Sequence, residues 1–345
     1  MTSRRWVLGW LLLAGCGERL VTPMGPADDG GADAGLFDAG PLPDPGSLVD
    51  GGADAGEADA GTADAGPQPD AGAALRCTGK PGLGGDSNRM IMSGGRMRRV
   101  EWRVPPAWDG GVALPLVLVF HGVTAMPAEI RQQTRFDELA EDAGFIAAFP
   151  AGVGDSWNAG ICCGLARLQN VDDVQYVRDL LAVLEREYCV DPTRVFAAGF
   201  SNGGFFTHRL GCELSDRIAA IGVGSGQVGV PCAPGRAVPV IAAHGTNDPI
   251  VPFGGNPALQ FPSTMTTMSG WAARNGCSVG ALRLSEDAGV RAETWPGCRD
   301  GAEVTLYTVQ GGAHDWFGGG TLWTQPTPLN NTLVFWDFFT KHPKR

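Results

Sequence analysis

The sequence predicts an α/β protein with a mostly parallel central sheet flanked by helices on both faces. Two observations carry this. Short, unbroken apolar runs at residues 114–120, 145–149, 218–223 and 238–243 alternate with stretches of helical spacing. Strands buried on both faces read as such runs, and helices between them imply parallel crossovers. The alternation fills residues 76–345, a chain long enough for one large domain with an ample core.

What precedes residue 76 does not belong to that core. Residues 1–16 combine Arg4 and Arg5, a short apolar stretch and Leu13-Ala14-Gly15-Cys16. The apolar stretch is too short to span a bilayer, and the layout is that of an export signal. The last four residues resemble a bacterial lipobox, which makes Cys16 the expected lipidated N-terminus. Gly17 rather than Asp follows it, so no inner-membrane retention signal is expected. Residues 17–75 repeat Ala-Asp-Ala-Gly from Ala32, Ala53, Ala58 and Ala63, with proline scattered between. So little apolar surface cannot fund a core, and a disordered, self-repelling tether is expected. This stretch holds twelve acidic residues and one Arg, which accounts for the formal net charge of −11. Residues 76–345 carry 23 basic and 25 acidic groups. With no basic patch, nucleic acid is not an expected partner. Membrane contact is expected only through the anchor, and the domain is expected to be a monomer.

Taken in order, residues 97–104 alternate as a strand, 114–120 form a buried strand, and 128–143 have the spacing of one helix. Residues 145–149 make the next strand. Residues 172–188 form an amphipathic helix with Val174, Val177, Leu180, Leu181 and Leu184 on one face, and Asp172-Asp173 caps its start. A strand at 194–198 runs into a helix at 205–214. Strands at 218–223 and 238–243, a helix at 265–274, a strand at 304–309 and a helix at 329–340 complete the series.

Between the strand at 194–198 and its helix stands Gly199-Phe200-Ser201-Asn202-Gly203. A Gly-x-Ser-x-Gly in that setting is a nucleophile elbow, a sharp turn that lifts the serine hydroxyl clear of the sheet. Side chains at Gly199 or Gly203 would collide with the adjoining strand and helix. The turn lies at the carboxyl end of a strand, where ligands of such sheets bind. A serine needs a base and the base an acid, in the chain order Ser, Asp, His for an elbow serine. His314 lies in a glycine-rich loop after the strand at 304–309, whereas His342 follows the last helix and is expected to be solvated. Asp248 directly follows the strand at 238–243, a placement that Asp216, Asp287 and Asp300 lack. His244 is expected to be a turn residue bonding the backbone, His208 a packing or solvated residue, and His121 a structural hydrogen-bonding residue. The oxyanion needs preorganised amide donors. These are expected from the backbone N–H of Asn202 and of Val123, with Thr124 as the fallback.

Several motifs in the same order resemble one family. They are Pro115-Leu116-Val117-Leu118-Val119-Phe120-His121-Gly122, Trp157-Asn158-Ala159-Gly160-Ile161-Cys162-Cys163-Gly164, Asn170-Val171-Asp172-Asp173 and Tyr188-Cys189-Val190-Asp191-Pro192, with the elbow and the stretch from His244 to Gly255. Together they are similar to the polyhydroxybutyrate depolymerase and feruloyl esterase group, akin to carbohydrate esterase family 1. The resemblance spans about residues 77–340. It implies the α/β-hydrolase fold and a Ser201, Asp248, His314 triad. Ala313 and Phe317 depart from the Gly-Gly-His-x-Trp-Pro-Gly-Gly that relatives often carry there.

Nine cysteines less Cys16 leave eight, enough for four disulfides in an oxidising compartment. Proximity in the chain suggests Cys189–Cys212 and Cys277–Cys298. Cys77, Cys162, Cys163 and Cys232 stay open among three pairings, of which the vicinal one is sterically poor. No metal-binding motif is present, and no cofactor is expected. Trp157 and Trp316, in loops near the expected rim, are candidates for substrate binding through their aromatic faces. The expectation is an exported, surface or outer-membrane serine ester hydrolase acting on feruloyl or acetylxylan esters through an acyl-enzyme. The alternatives are an extracellular polyester depolymerase, a non-catalytic binding protein and an acyltransferase.

Overall fold

The computed structural model describes residues 75–319 and 327–345, all within one unit, Pro67–Arg345. Cys16, the signal-like segment and the acidic repeats lie outside the described residues. Ten described strands form one sheet: β1 (Gly85–Ser93), β2 (Arg96–Val104), β3 (Leu114–Phe120), β4 (Ile146–Pro150), β5 (Val190–Phe200), β6 (Ala220–Gly224), β7 (Val240–Gly245), β8 (Leu282–Asp287), β9 (Val290–Trp295) and β10 (Val304–Val309). Their order is β1-β2-β4-β3-β5-β6-β7-β10-β9-β8. From β4 to β10 the neighbours are parallel.

The expected mostly parallel sheet is corrected at both edges, where β1–β2–β4 and β10–β9–β8 pair antiparallel. The cause is local. Gly94 and Gly95 have φ of 53° and 74°, and Ala288 and Gly289 have φ of 45° and 79°. Two successive left-handed residues make the tight turn that matches strand twist, and a two-residue turn can join only antiparallel neighbours.

Side chains alternate across β3, so Leu116, Leu118 and Phe120 enter one core and Val117 and Val119 the other. The first core is closed by α4 (Asp173–Glu187), α5 (Asn202–Glu213) and α6 (Thr264–Asn275), which follow the short α3 (Gly164–Leu168). The second is closed by α1 (Pro127–Thr134), α2 (Phe136–Ala143) and α7 (Asn331–Lys341). The single helix expected over 128–143 is two. Arg135 breaks it in the left-handed region, at φ 54°, and Phe136 turns inward against Phe145 and Trp316. Asp172 caps α4 by accepting from Gln175 N–H. Its neighbour Asp173 is fully buried and paired with Arg98 at 2.7 Å. His342, expected in solvent, is buried against Phe338.

The cysteine pairs are Cys77–Cys189, Cys162–Cys163, Cys212–Cys232 and Cys277–Cys298. This corrects the expected Cys189–Cys212 bond, and the reason is geometric. Cys189 stands at the foot of β5, which climbs about 3.3 Å per residue, whereas α5 returns only about 1.5 Å per residue. Cys212, near the end of α5, therefore stops far above Cys189, beyond the ~7 Å Cα separation a disulfide tolerates. Cys77 instead meets Cys189 with a Cα separation of 6.0 Å, and Cys212 meets Cys232 at 4.9 Å. The vicinal Cys162–Cys163 pair forms despite the steric objection raised above.

Candidate active site

The carboxyl ends of the parallel strands gather the candidate residues. β5 delivers Ser201 into a turn at φ 56° and ψ −123°, a conformation costly for a side chain other than glycine. Close packing holds it there. A Cβ on Gly199 would press on Gly203 and Thr207, and one on Gly203 on the carbonyls of Phe120 and His121. The Ser201 N–H donates to Gly224 O of β6 at 3.0 Å, and its carbonyl starts α5 by accepting from Phe205. Its hydroxyl makes no hydrogen bond among the described residues, including none to His314.

β7 ends in the loop that carries Asp248, and β10 in the loop that carries His314. His314 Nδ1 lies 2.7 Å from Asp248 Oδ2. An ionised carboxylate only accepts, so the Nδ1 bears the proton and Nε2 is left to accept. The Asp248 side chain is fully buried, and burial by itself would raise its pKa. Hydrogen bonds from His244, His314 and the Val251 N–H outweigh that and hold the carboxyl well below the usual carboxylate range. The ring of Phe200, next to Ser201, lies 4.8 Å from the His314 ring. This brings serine, histidine and aspartate to one rim.

His244 bonds the backbone at Val251 O, 2.7 Å from Nε2. The same nitrogen also lies 3.3 Å from Asp248 Oδ2. That second contact escaped the sequence reading, although the four-residue spacing within one tight loop was its signal. His208 is wholly buried beside Trp271, whose indole N–H it accepts at 3.0 Å. Burial, the largest influence on it, pushes its pKa down to about 3. His121 is buried too and also lowered by burial. Its Nδ1 donates to Gly122 O at 2.7 Å, and its Nε2 accepts from Gly152 N–H at 3.0 Å.

The turn after β3 comes close to the elbow. A Cβ on Gly122 would sit 3.3 Å from Ser201 Cβ. Thr124 N–H is committed to Asp155 O at 2.8 Å, which removes the fallback donor. The N–H groups of Val123 and Asn202 make no hydrogen bond among the described residues, and the second begins α5, at the positive end of its dipole. Trp157 and Trp316 are fully buried, which corrects their expected role as exposed aromatic faces. Trp316 packs over Gly224, Phe136 and Phe335, and its indole N–H donates to Thr332. Trp157 lies beneath the rim between Phe206 and Tyr176. Among the described residues, apolar side chains that reach solvent in the loops after these strands include Val123, Met126, Leu165, Leu168, Ile250 and Leu259.

A mixed sheet between two helical layers, with a serine elbow after its central strand, defines an α/β-hydrolase. The acetyl xylan esterase of Aspergillus awamori shares this fold, with a TM-score of 0.56 at 14% identity, over 74% of this chain and 99% of that one. Two relatives narrow the class. The chain is 30% identical over 257 residues to a Nocardia uniformis subsp. tsuyamanensis protein named as an esterase, NocK, covering 67% of this chain and 74% of that protein. It is also 30% identical over 234 residues to feruloyl esterase B of Piromyces equi, covering 63% of this chain and 42% of that protein. No family model matches. The chain belongs to the α/β-hydrolase family of feruloyl and acetylxylan esterases, and it spans less than half the length of the Piromyces relative.

Proposed function

We propose that this chain is a carboxylic ester hydrolase in which Ser201 is the nucleophile, His314 the base and Asp248 the residue that orients it. The observation that carries the reading is the 2.7 Å His314–Asp248 hydrogen bond beside a serine hydroxyl that no described residue engages. In the first step His314 Nε2 takes the Ser201 proton as Oγ attacks the ester carbonyl. The N–H groups of Asn202 and Val123 stabilise the oxyanion. His314 then protonates the departing alkoxide, leaving Ser201 acylated. Water, deprotonated by His314, attacks the acyl-enzyme and releases the acid. The chemistry calls for no cofactor.

The substrate reading is a feruloyl or acetyl ester of a plant cell-wall polysaccharide, supported by the names of the relatives. The exposed Leu165, Leu168, Ile250 and Leu259 favour a second reading, an apolar polyester chain. The disulfides fit an oxidising compartment, and the lipobox-like Cys16 makes the enzyme a surface-anchored lipoprotein. Labelling with a lipid precursor is expected to fail in Cys16→Ala.

The test is hydrolysis of a nitrophenyl acetate, methyl ferulate, acetylated xylan and hydroxybutyrate oligomers by the wild type and by Ser201→Ala. Turnover that vanishes in Ser201→Ala supports the reading, and the preferred ester decides the substrate class. Turnover that survives the substitution, or no turnover of any ester by the wild type, rejects it.

A further inference from the structure

The two oxyanion donors proposed above come from different elements, the turn after β3 and the start of α5. The β3–β5 ladder ends at Phe120 and Gly199. Beyond it, among the described residues, the hydrogen bonds linking the two turns run through Trp157. On the elbow side its N–H donates to Asn202 Oδ1 at 2.7 Å, and its carbonyl accepts from Asn202 Nδ2 at 3.1 Å. On the β3 side its indole Nε1 donates to His121 O at 3.0 Å, two residues before Val123.

The bridge itself is rigid. The indole is stacked on Phe206 at 5.1 Å and 7° between ring planes and on Tyr176 at 6.5 Å and 11°, and it meets the Phe120 ring edge-on at 5.2 Å. Its loop is tied down one residue later, where Asn158 N–H donates to Asp173 Oδ2 at 2.8 Å. Asp173 is in turn held by Arg98. Trp157, Asn202, His121 and Asp173 are buried, so water does not compete for these bonds and each is stronger than it would be at the surface.

We propose that Trp157 is a positioning residue for catalysis: it fixes the Val123 and Asn202 amides relative to each other while never touching substrate. The proposal rests on the reading of Ser201 as nucleophile. Its physical basis is that an oxyanion gains from two donors only when both lie within hydrogen-bonding reach of one oxygen, and a displacement of about 1 Å can cost a hundredfold in rate. A tryptophan that merely filled the core would affect stability and leave the catalytic constants alone.

The test uses the full chain with nitrophenyl acetate as substrate and an alkyl boronic acid as a mimic of the tetrahedral adduct. Trp157→Phe keeps an aromatic ring but deletes the indole N–H. It is expected to lower kcat about 10- to 100-fold, to leave KM within about twofold, and to weaken boronate inhibition by the factor lost in kcat. A folded Trp157→Phe protein with wild-type kcat and boronate affinity overturns the inference. Should that variant fail to fold, Asn202→Ala cuts the elbow-side bonds and keeps the backbone donor. The same selective fall in kcat is expected there, and an unchanged kcat overturns the inference. Ser201→Ala separates the two levels. If it is inactive while Trp157→Phe matches the wild type, only the positioning role fails; if it stays active, the nucleophile assignment fails with it.

Discussion

Ser201 combines a backbone in the left-handed region, a hydroxyl that no described residue engages and a neighbouring histidine–aspartate pair. Removing the hydroxyl is expected to cost at least about 10⁴-fold in kcat, measured as ester turnover by Ser201→Ala. Asp248→Asn keeps the shape of the side chain but lets it donate to His314, which favours the wrong tautomer, and a kcat loss of about 10⁴-fold is expected. Residue types and chain order made Ser201, Asp248 and His314 legible as candidates, because each follows a recognisable strand. The tryptophans were not legible. The pattern of strands and helices places Trp157 and Trp316 in loops but cannot tell whether a loop side chain faces out or under, and both face under.

Close backbone approach governs the elements around the site. Gly203 passes so near the carbonyls of Phe120 and His121 that a methyl group has no room. Gly203→Ala is therefore expected to lower stability by more than about 2 kcal/mol through overpacking and to impair activity. Urea unfolding checks the first and turnover the second, and a stable, fully active variant would contradict this account of the elbow. The buried strands were legible from their apolar runs, and residues 114–120 and 304–309 coincide with β3 and β10. β8 was missed because every residue in it is exposed, which leaves no burial pattern to read. β1 was missed although Gly94-Gly95 marked its hairpin, since its first six residues face solvent or nearly so and do not alternate clearly.

Across the whole molecule, cross-links and buried histidines set the response to reductant and to pH. Cys77–Cys189 closes a separation of 112 residues and Cys277–Cys298 one of 21. In the chain-entropy account the first is worth about 5 kcal/mol and the second about 3. Replacing each pair by serine should show the larger loss for Cys77–Cys189 in denaturant unfolding, and the reverse order would contradict it. The contact of Cys77 with Cys189 was not legible because it depends on where the chain before β1 returns. The pKa of His208 is pushed down to about 3, below the ~6.5 of an unfolded histidine. A depressed folded pKa means that the unfolded chain binds the proton first, so stability is full above pH ~6.5 and falls as pH drops toward the folded value, by up to about 1.4 kcal/mol per unit. His121 is shifted the same way. Asp248 adds a similar loss only below the ordinary carboxylate pKa of about 3.9. Between pH 6.5 and 4.5 the unfolding free energy of His208→Gln should depend less on pH than that of the wild type, and an equal slope would contradict the histidine's part.

The central claim is that the Ser201 hydroxyl is the nucleophile and that His314 activates it. It is tested most directly by treating the protein with a fluorophosphonate and locating the adduct by peptide mass spectrometry. The account predicts one adduct, on Ser201, absent from Ser201→Ala and formed far more slowly in His314→Ala. An adduct on another residue, or labelling of Ser201 at an undiminished rate without His314, would contradict it.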